Sequence, residues 1–238
     1  MEKRLQKFMS EAGIMSRRAA EEEIERGNVT VNGVRAVLGQ KIDDEVDVVE
    51  YKGKRVGVSA VKKKRVYIML NKPVGYVTTM SDEQGRTCVA ELVEDVGTRV
   101  YPIGRLDKES EGLLLFTNDG ELANRLMHPR YHKPKVYHVK VRGKVEPEKI
   151  FALSRPMKID DYITKPVNVS IVTMKEDYTV LAMELFEGRN RQIRKLCEQV
   201  ELHIMTLRRV SIGSLKLGDL RPGKWRHLTK SEVDSLMS

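Results

Sequence analysis

Cysteine is scarce in this chain: its 238 residues hold two, Cys88 and Cys197, far apart and in no metal-ligand spacing. No CxxC, HExxH or paired framework is present, which excludes a disulfide-stapled fold and the common zinc signatures and fits a reducing compartment. Cys197 lies in RQIRKLCEQV, which reads as a helix, so a core thiol is expected there rather than a nucleophile. Long apolar runs are missing too; none approaches the ~18 residues that a membrane-spanning helix needs. The opening MEKRLQKFMS has no apolar core of a secretory signal, so a cytoplasmic location and no membrane partner are expected. There is no P-loop, no GxGxxG behind a strand and no GxSxG. Of the five scattered histidines, His128 and His132 are near each other, but no cysteine or paired carboxylate stands beside them to complete a metal site.

What the chain has in excess is basic charge. Lys and Arg number 43 against 34 Asp and Glu, a net charge of +9, which favours an anionic partner, nucleic acid first. The excess is uneven. Residues 1–50 carry 8 basic and 11 acidic side chains, whereas YKGKRVGVSAVKKKR, residues 51–65, carries 7 basic and none acidic. That stretch lacks a sustained apolar period and reads as a linker at 56–65 between domains at 1–55 and 66–238.

The first piece opens with Leu5, Phe8, Met9 and Ala12, one apolar face of a helix. Gly13 is placed to end it, Ser16 to cap a second helix that buries Ala20 and Ile24, and Gly27 to end that one. Asn32-Gly33 predicts a hairpin turn, and DEVDVVEY alternates as a further strand. Arg4, Lys7, Arg17 and Arg18 fall at the helix starts, where they are placed to grip phosphates. The string RLQKFMSEAGIMSRRAAEEEIERGNVTVNG resembles an S4 RNA-binding domain, which implies two helices with a small sheet and structured RNA as ligand.

From Val66 onward strands dominate. VYIMLNKPVGYVTT reads as two strands about a Lys-Pro-x-Gly turn. LLLFT reads as a short buried strand, DGELANRLMH as a helix, and KVYHVKVRG, VNVSIVTM and YTVLAMELFEG as strands. NRQIRKLCEQV is a helix with Ile193, Leu196, Cys197 and Val200 on one side, and LRRVSIGSLKLGDL returns as a strand. Most connections look like hairpins, so the expected class is α+β with a mostly antiparallel mixed sheet.

GRLDKESEGLLLFTNDG poses the chemical question, because it sets an aspartate in a glycine-bounded loop directly ahead of a core strand. Unaided, Asp107 reads as a turn residue. A catalytic carboxylate in that place needs a cation to keep it ionised despite desolvation. The densest basic cluster is EGRNRQIRKL, with Arg189, Arg191, Arg194 and Lys195, inside a stretch 186–226 that holds 10 basic and 4 acidic residues. Spacing alone does not select which arginine points inward. On a continuous helix Arg191 and Lys195 share a face.

LNKPVGYVTT, YPIGRLDKESEGLLLFTNDGELANRLMHP, KVYHVKV, EGRNRQIRKLC and LRRVSIGSLKLGDLRPGKWRHLT together resemble the RsuA/RluB/RluE/RluF family of ribosomal RNA pseudouridine synthases. The resemblance spans essentially the whole chain. It implies isomerisation of a uridine in folded ribosomal RNA, with the glycosidic bond broken at N1 and re-formed at C5, and no cofactor or metal. It implies Asp107 as nucleophile, leaving open attack at ribose C1′ or uracil C6. Tyr137 is implied as the residue packing on the target base and helping to move a proton, and Arg194 as the partner of the aspartate. Arg105 is implied to fill the gap left by the flipped base. Ser110 stands where the family more often has Thr and keeps the hydroxyl. The RluB type is closest, which implies a 23S stem-loop or an assembling ribosomal particle as partner and action as a monomer. The alternatives are a 16S enzyme of the RsuA type, a non-catalytic S4-type assembly factor, or a base-releasing glycosidase.

Overall fold

The computed structural model describes residues 2–57, 64–127 and 133–237. It divides into two compact units, Met1–Lys64 and Arg65–Ser238. Residues 58–63, most of the expected linker, lie outside the described residues, as do His128 and His132.

The first unit runs β1 (Glu2–Arg4), α1 (Leu5–Glu11), α2 (Arg17–Glu25), β2 (Val29–Val31), β3 (Val34–Arg35), β4 (Lys41–Asp43), β5 (Val49–Tyr51) and β6 (Lys54–Arg55). Leu5, Phe8 and Met9 of α1 pack with Ala20 and Ile24 of α2 over Val29, Val31 and Val49, as the apolar spacing predicts. The Ser16 hydroxyl accepts the Ala19 N–H at 3.1 Å and caps α2. Asn32 and Gly33 both take positive φ, 52° and 80°, and turn β2 into β3. Glu23, nearly buried, joins α2 to β5 by accepting from Asn28 Nδ2 at 2.9 Å, Arg26 Nη1 at 2.7 Å and Tyr51 Oη at 2.9 Å. Those bonds outweigh burial and hold its pKa down to about 2. The strand expected over DEVDVVEY shrinks to Val49–Tyr51. Asp47 accepts the Asp43 N–H and the Asn32 side chain, each at 2.8 Å, and Asp43 accepts the Glu45 N–H at 3.1 Å, so the acidic half closes into a turn.

The second unit runs β7 (Tyr67–Lys72), a 3-10 stretch Val89–Val96, β8 (Tyr101–Ile103), β9 (Glu111–Thr117), α3 (Gly120–Met127), β10 (Lys135–Arg142), α4 (Pro147–Leu153), β11 (Lys158–Ile159), β12 (Tyr162–Ile163), β13 (Asn168–Met174), β14 (Tyr178–Leu185), α5 (Gln192–Gln199), β15 (Ile204–Ile212), β16 (Leu215–Lys216), β17 (Trp225–His227) and α6 (Lys230–Met237). Its main sheet has the order β13-β14-β10-β15-β9-β7-β17, with β16 on β15 and β8 on β9. Every pairing in it is antiparallel except a two-residue parallel ladder, Arg208 with Glu111 and Arg209 with Gly112. This is the expected mixed, mostly antiparallel α+β architecture. Both faces of β9 are covered: Leu113 and Leu115 pack with α3 and α6, while Leu114 and Phe116 pack with Val89 and Val93. That accounts for the unbroken apolar run in the sequence. Cys197, fully buried under β10, β14 and β15, has its thiol pushed up to about 12 by burial, as a core thiol would. The strand expected after Lys-Pro-x-Gly does not form; Val77 makes an isolated bridge to Cys88. No described helix is long and apolar enough to cross a membrane.

Candidate active site

The parallel ladder joins two antiparallel halves of the sheet, and the loop carrying Asp107 leads into it. Gly112, at φ 104°, has its Cα against the backbone of Arg209; a Cβ there would meet the Arg209 carbonyl oxygen at 2.2 Å. Only glycine permits β9 and β15 to approach so closely at that point.

The loop itself is clamped by the 72–78 segment. Lys72, with 0% of its surface exposed, donates Nζ to the carbonyls of Pro73 at 3.0 Å, Asp107 at 3.1 Å and Ser110 at 2.8 Å. Burial pushes its pKa down to about 8, opposed by Asp107, Glu109 and Glu111. Thr78 Oγ1 donates to Leu106 O at 2.6 Å and accepts the Leu106 N–H at 3.2 Å, and the Gly75 N–H donates to Lys108 O at 2.8 Å. Leu106 is buried beside Val89 and Phe116. Gly75 and Thr78 therefore serve the aspartate loop, while the backbone of Val77 bonds to Thr87 and Val89. Ser110 N–H closes the loop on Asp107 O at 3.1 Å.

The cations come from EGRNRQIRKL. Gln192, the buried first residue of α5, accepts the Arg189 N–H at 3.2 Å and donates to Glu187 at 2.7 Å. Glu187 also accepts from Tyr162 Oη at 2.6 Å and the Lys165 N–H at 3.0 Å. Arg191 precedes the helix in the left-handed region, at φ 51°. It therefore departs from the helical face expected to join it with Lys195, which pairs with Asp160 instead. Arg191 Nη1 and Arg194 Nε each stand 3.8 Å from Asp107 Oδ2. Arg194 Nη2 donates to Glu109 O at 3.0 Å and Ser110 Oγ at 3.3 Å, and Arg191 pairs with Glu109 at 3.1 Å. Neither carboxylate oxygen of Asp107 takes a hydrogen bond among the described residues, although two guanidinium groups flank it. A carboxylate so placed keeps its lone pairs for an incoming electrophile.

Asp107 opens onto a cavity of about 550 Å³ lined by Gly104, Arg105, Tyr137, Arg189, Arg191 and Arg209 over an apolar floor that includes Leu185, Leu207 and Ile212. Tyr137 lies on central strand β10, facing Met183 on β14 and Arg209 on β15, with its ring half-buried. Of the residues expected here, the fold brings together Asp107, Arg105, Ser110, Tyr137, Arg189 and Arg191 on the cavity, with Arg194 behind Asp107. Arg105 is exposed, and Arg189 stacks its guanidinium 3.9 Å over the Tyr162 ring. Lys195 does not line the cavity. Arg4, Arg17 and Arg18 are exposed on the first unit, and Lys7 pairs loosely with Glu11 at 3.7 Å. Sequence reasoning passed over Lys72, Thr78, Gly112, Gln192 and Arg209. One signal was available, a lysine ending the strand YIMLNK, whose first four residues are apolar or aromatic.

Compared with known families, residues 66–199 match the model described as RNA pseudouridylate synthase, and residues 3–48 match the S4 domain. A protein of Aquifex aeolicus (strain VF5), named as an uncharacterized RNA pseudouridine synthase, is 44% identical over 238 residues, 99% of this chain and 94% of that protein. Ribosomal large subunit pseudouridine synthase B of Bacillus subtilis (strain 168) is 38% identical over 98% of this chain and 95% of its own length. A solved structure described as a crystal structure of pseudouridylate synthase superposes with a TM-score of 0.69 at 28% identity, covering 98% of this chain and 99% of that one.

Proposed function

The chain belongs to the RNA pseudouridylate synthase family, with an S4 domain ahead of the synthase domain, and from that premise we propose that it isomerises a specific uridine of large-subunit ribosomal RNA with Asp107 as nucleophile. The observation that carries the reading is the Asp107 carboxylate, free of hydrogen bonds among the described residues, 3.8 Å from Arg191 and from Arg194, at the mouth of a cavity of about 550 Å³. That volume falls within the range of roughly 300–1,000 Å³ common to small-ligand sites. The 38% identity over 98% of the chain to a synthase named for the large ribosomal subunit supports 23S RNA as the target.

The target uridine leaves its stack, at a cost of a few kcal/mol, and its base enters the cavity against Tyr137. Arg105, exposed at the rim, fills the place it vacated. Asp107 attacks the flipped nucleotide at ribose C1′ or uracil C6. The N1–C1′ bond breaks, the base turns, C5 forms the new bond to C1′, and the bond between Asp107 and C1′ or C6 breaks, returning the free carboxylate. The C5 proton leaves, with Tyr137 placed to assist, and N1 takes up a proton, so product and substrate have the same atoms. Arg191 and Arg194 stabilise the carboxylate. Residues 1–55, with Arg4, Lys7, Arg17 and Arg18, hold folded RNA by its phosphates, the basic segment 56–65 adds to that grip, and 66–238 performs the chemistry, so binding weakens steeply with salt. The enzyme works as a monomer in the cytoplasm, on ribosomal RNA or an assembling particle.

The test uses unmodified 23S and 16S RNA with wild-type protein and with Asp107→Asn, mapping pseudouridine by carbodiimide-dependent primer-extension stops. A stop in 23S RNA that the variant loses, with RNA affinity retained, is the expected result. A stop that persists with Asp107→Asn rules out the nucleophile, and a stop in 16S RNA alone rules out the target.

A further inference from the structure

Arg209 is 3% exposed and lies on the β15 face that lines the cavity, two residues from Leu207 on the same floor. Burying a guanidinium is costly unless its donors are matched. Nε donates to Leu113 O at 2.7 Å, and Nη1 reaches the Tyr137 hydroxyl at 3.4 Å. Nη2 is buried and has no hydrogen-bond partner among the described residues. The surroundings make this more conspicuous. Lys135 also lines the cavity, and burial together with the charge of Arg209 pushes its ammonium below the usual lysine range. The parallel ladder against Gly112, where no side chain fits, fixes the Arg209 backbone, and the Nε bond to Leu113 O orients the guanidinium. A fixed planar donor beside a half-buried aromatic ring suits a flat, neutral ring bearing carbonyl oxygens.

We propose that Arg209 is a base-binding residue whose guanidinium donates to a ring carbonyl of the uracil that enters the cavity, beside the Tyr137 hydroxyl that Nη1 reaches. The inference rests on the uridine-isomerising function proposed above. It adds a contact to the base that is separate from the Arg191 and Arg194 pair on the carboxylate. Since phosphate contacts dominate RNA affinity, losing this arm lowers turnover and leaves affinity nearly unchanged.

The experiment measures single-turnover isomerisation of an RNA stem-loop carrying uridine, 2-thiouridine or 4-thiouridine at the mapped position, with wild type, Arg209→Lys and Arg209→Met. Sulfur is the weaker acceptor. Both variants are expected to slow the uridine reaction about 10- to 100-fold, roughly what the loss of one charge-assisted hydrogen bond costs. One thio substitution slows the wild type about 10-fold more than it slows Arg209→Lys, since the lost hydrogen bond is counted once. A purely structural arginine leaves the thio penalties equal in wild type and variant, and that equality overturns the proposal. If both variants fail to fold, the wild type decides alone: no slowing with either thio substrate overturns it, and slowing with one of the two supports it. Absence of product from wild type on any ribosomal RNA overturns the function itself, a result distinct from equal penalties.

Discussion

Replacing Lys72 with Met tests whether the aspartate is held in place from behind. The side chain keeps an unbranched stem as far as Cε and loses the ammonium that bridges three carbonyls. Two effects on stability oppose each other. Burial lowers the Lys72 pKa from 10.5 to about 8, and at about 1.4 kcal/mol per unit its charge costs the folded state at most about 3 kcal/mol, which the variant no longer bears. Against that, the Pro73 and Ser110 carbonyls lose their Lys72 donor at about 1–3 kcal/mol each, whereas Asp107 O retains the Ser110 N–H. The net loss is about 1 kcal/mol, a fall in Tm of about 2–4 °C for a chain of this size. The chemistry has no such offset. A displacement of about 1 Å at a reacting group costs on the order of 100-fold in rate, so kcat falls about that much while RNA affinity holds. The pH dependence gives a second reading. Below pH 8 Lys72 is charged in both states and its burial cost is fully present. Between pH 8 and 10.5 the folded state releases the proton and the unfolded state keeps it. The stability of wild type relative to variant therefore rises through that window by up to about 3 kcal/mol. Rates by single-turnover assay and Tm by calorimetry measure both. A kcat within about 2-fold of wild type refutes the clamp, and a fall in Tm beyond about 10 °C refutes the offset.

Gly112→Ala combines a left-handed φ of 104° with a Cβ at 2.2 Å from the Arg209 carbonyl. Strain and overpacking together cost about 3–5 kcal/mol, so Tm drops by roughly 10 °C or more; an unchanged melt counts against the close approach of β9 and β15. In the first unit, Glu23 is held down to about 2, so its stabilisation is present above pH 4.5 and is lost as pH falls toward 2. The Tm advantage of wild type over Glu23→Gln therefore shrinks across that window in thermal melts, and a constant difference would exclude the three-donor cluster as its source.

Local chemistry was sufficient for much of this protein. Apolar spacing placed α1 and α2, Asn32-Gly33 placed the hairpin, and the apolar run after Gly112 marked a short buried strand. These features depend on neighbours within a few residues, so their pattern is written along the chain. The family motifs pointed to Asp107, Tyr137 and Arg194 without revealing how they meet. Only the tertiary structure decided that Arg191 leaves the helix and turns to Asp107 while Lys195 goes to Asp160. A single residue in the left-handed region breaks the face that helical spacing would join. It also decided that Gly75 and Thr78 clamp a loop about thirty residues away, Thr78 satisfying both backbone groups of Leu106, where the sequence suggested a strand. Lys72 and Arg209 were unreadable in advance for the same reason. What a buried cation does depends on the acceptors that distant strands bring to it, and those are set by the pairing of β9 with β7 and β15.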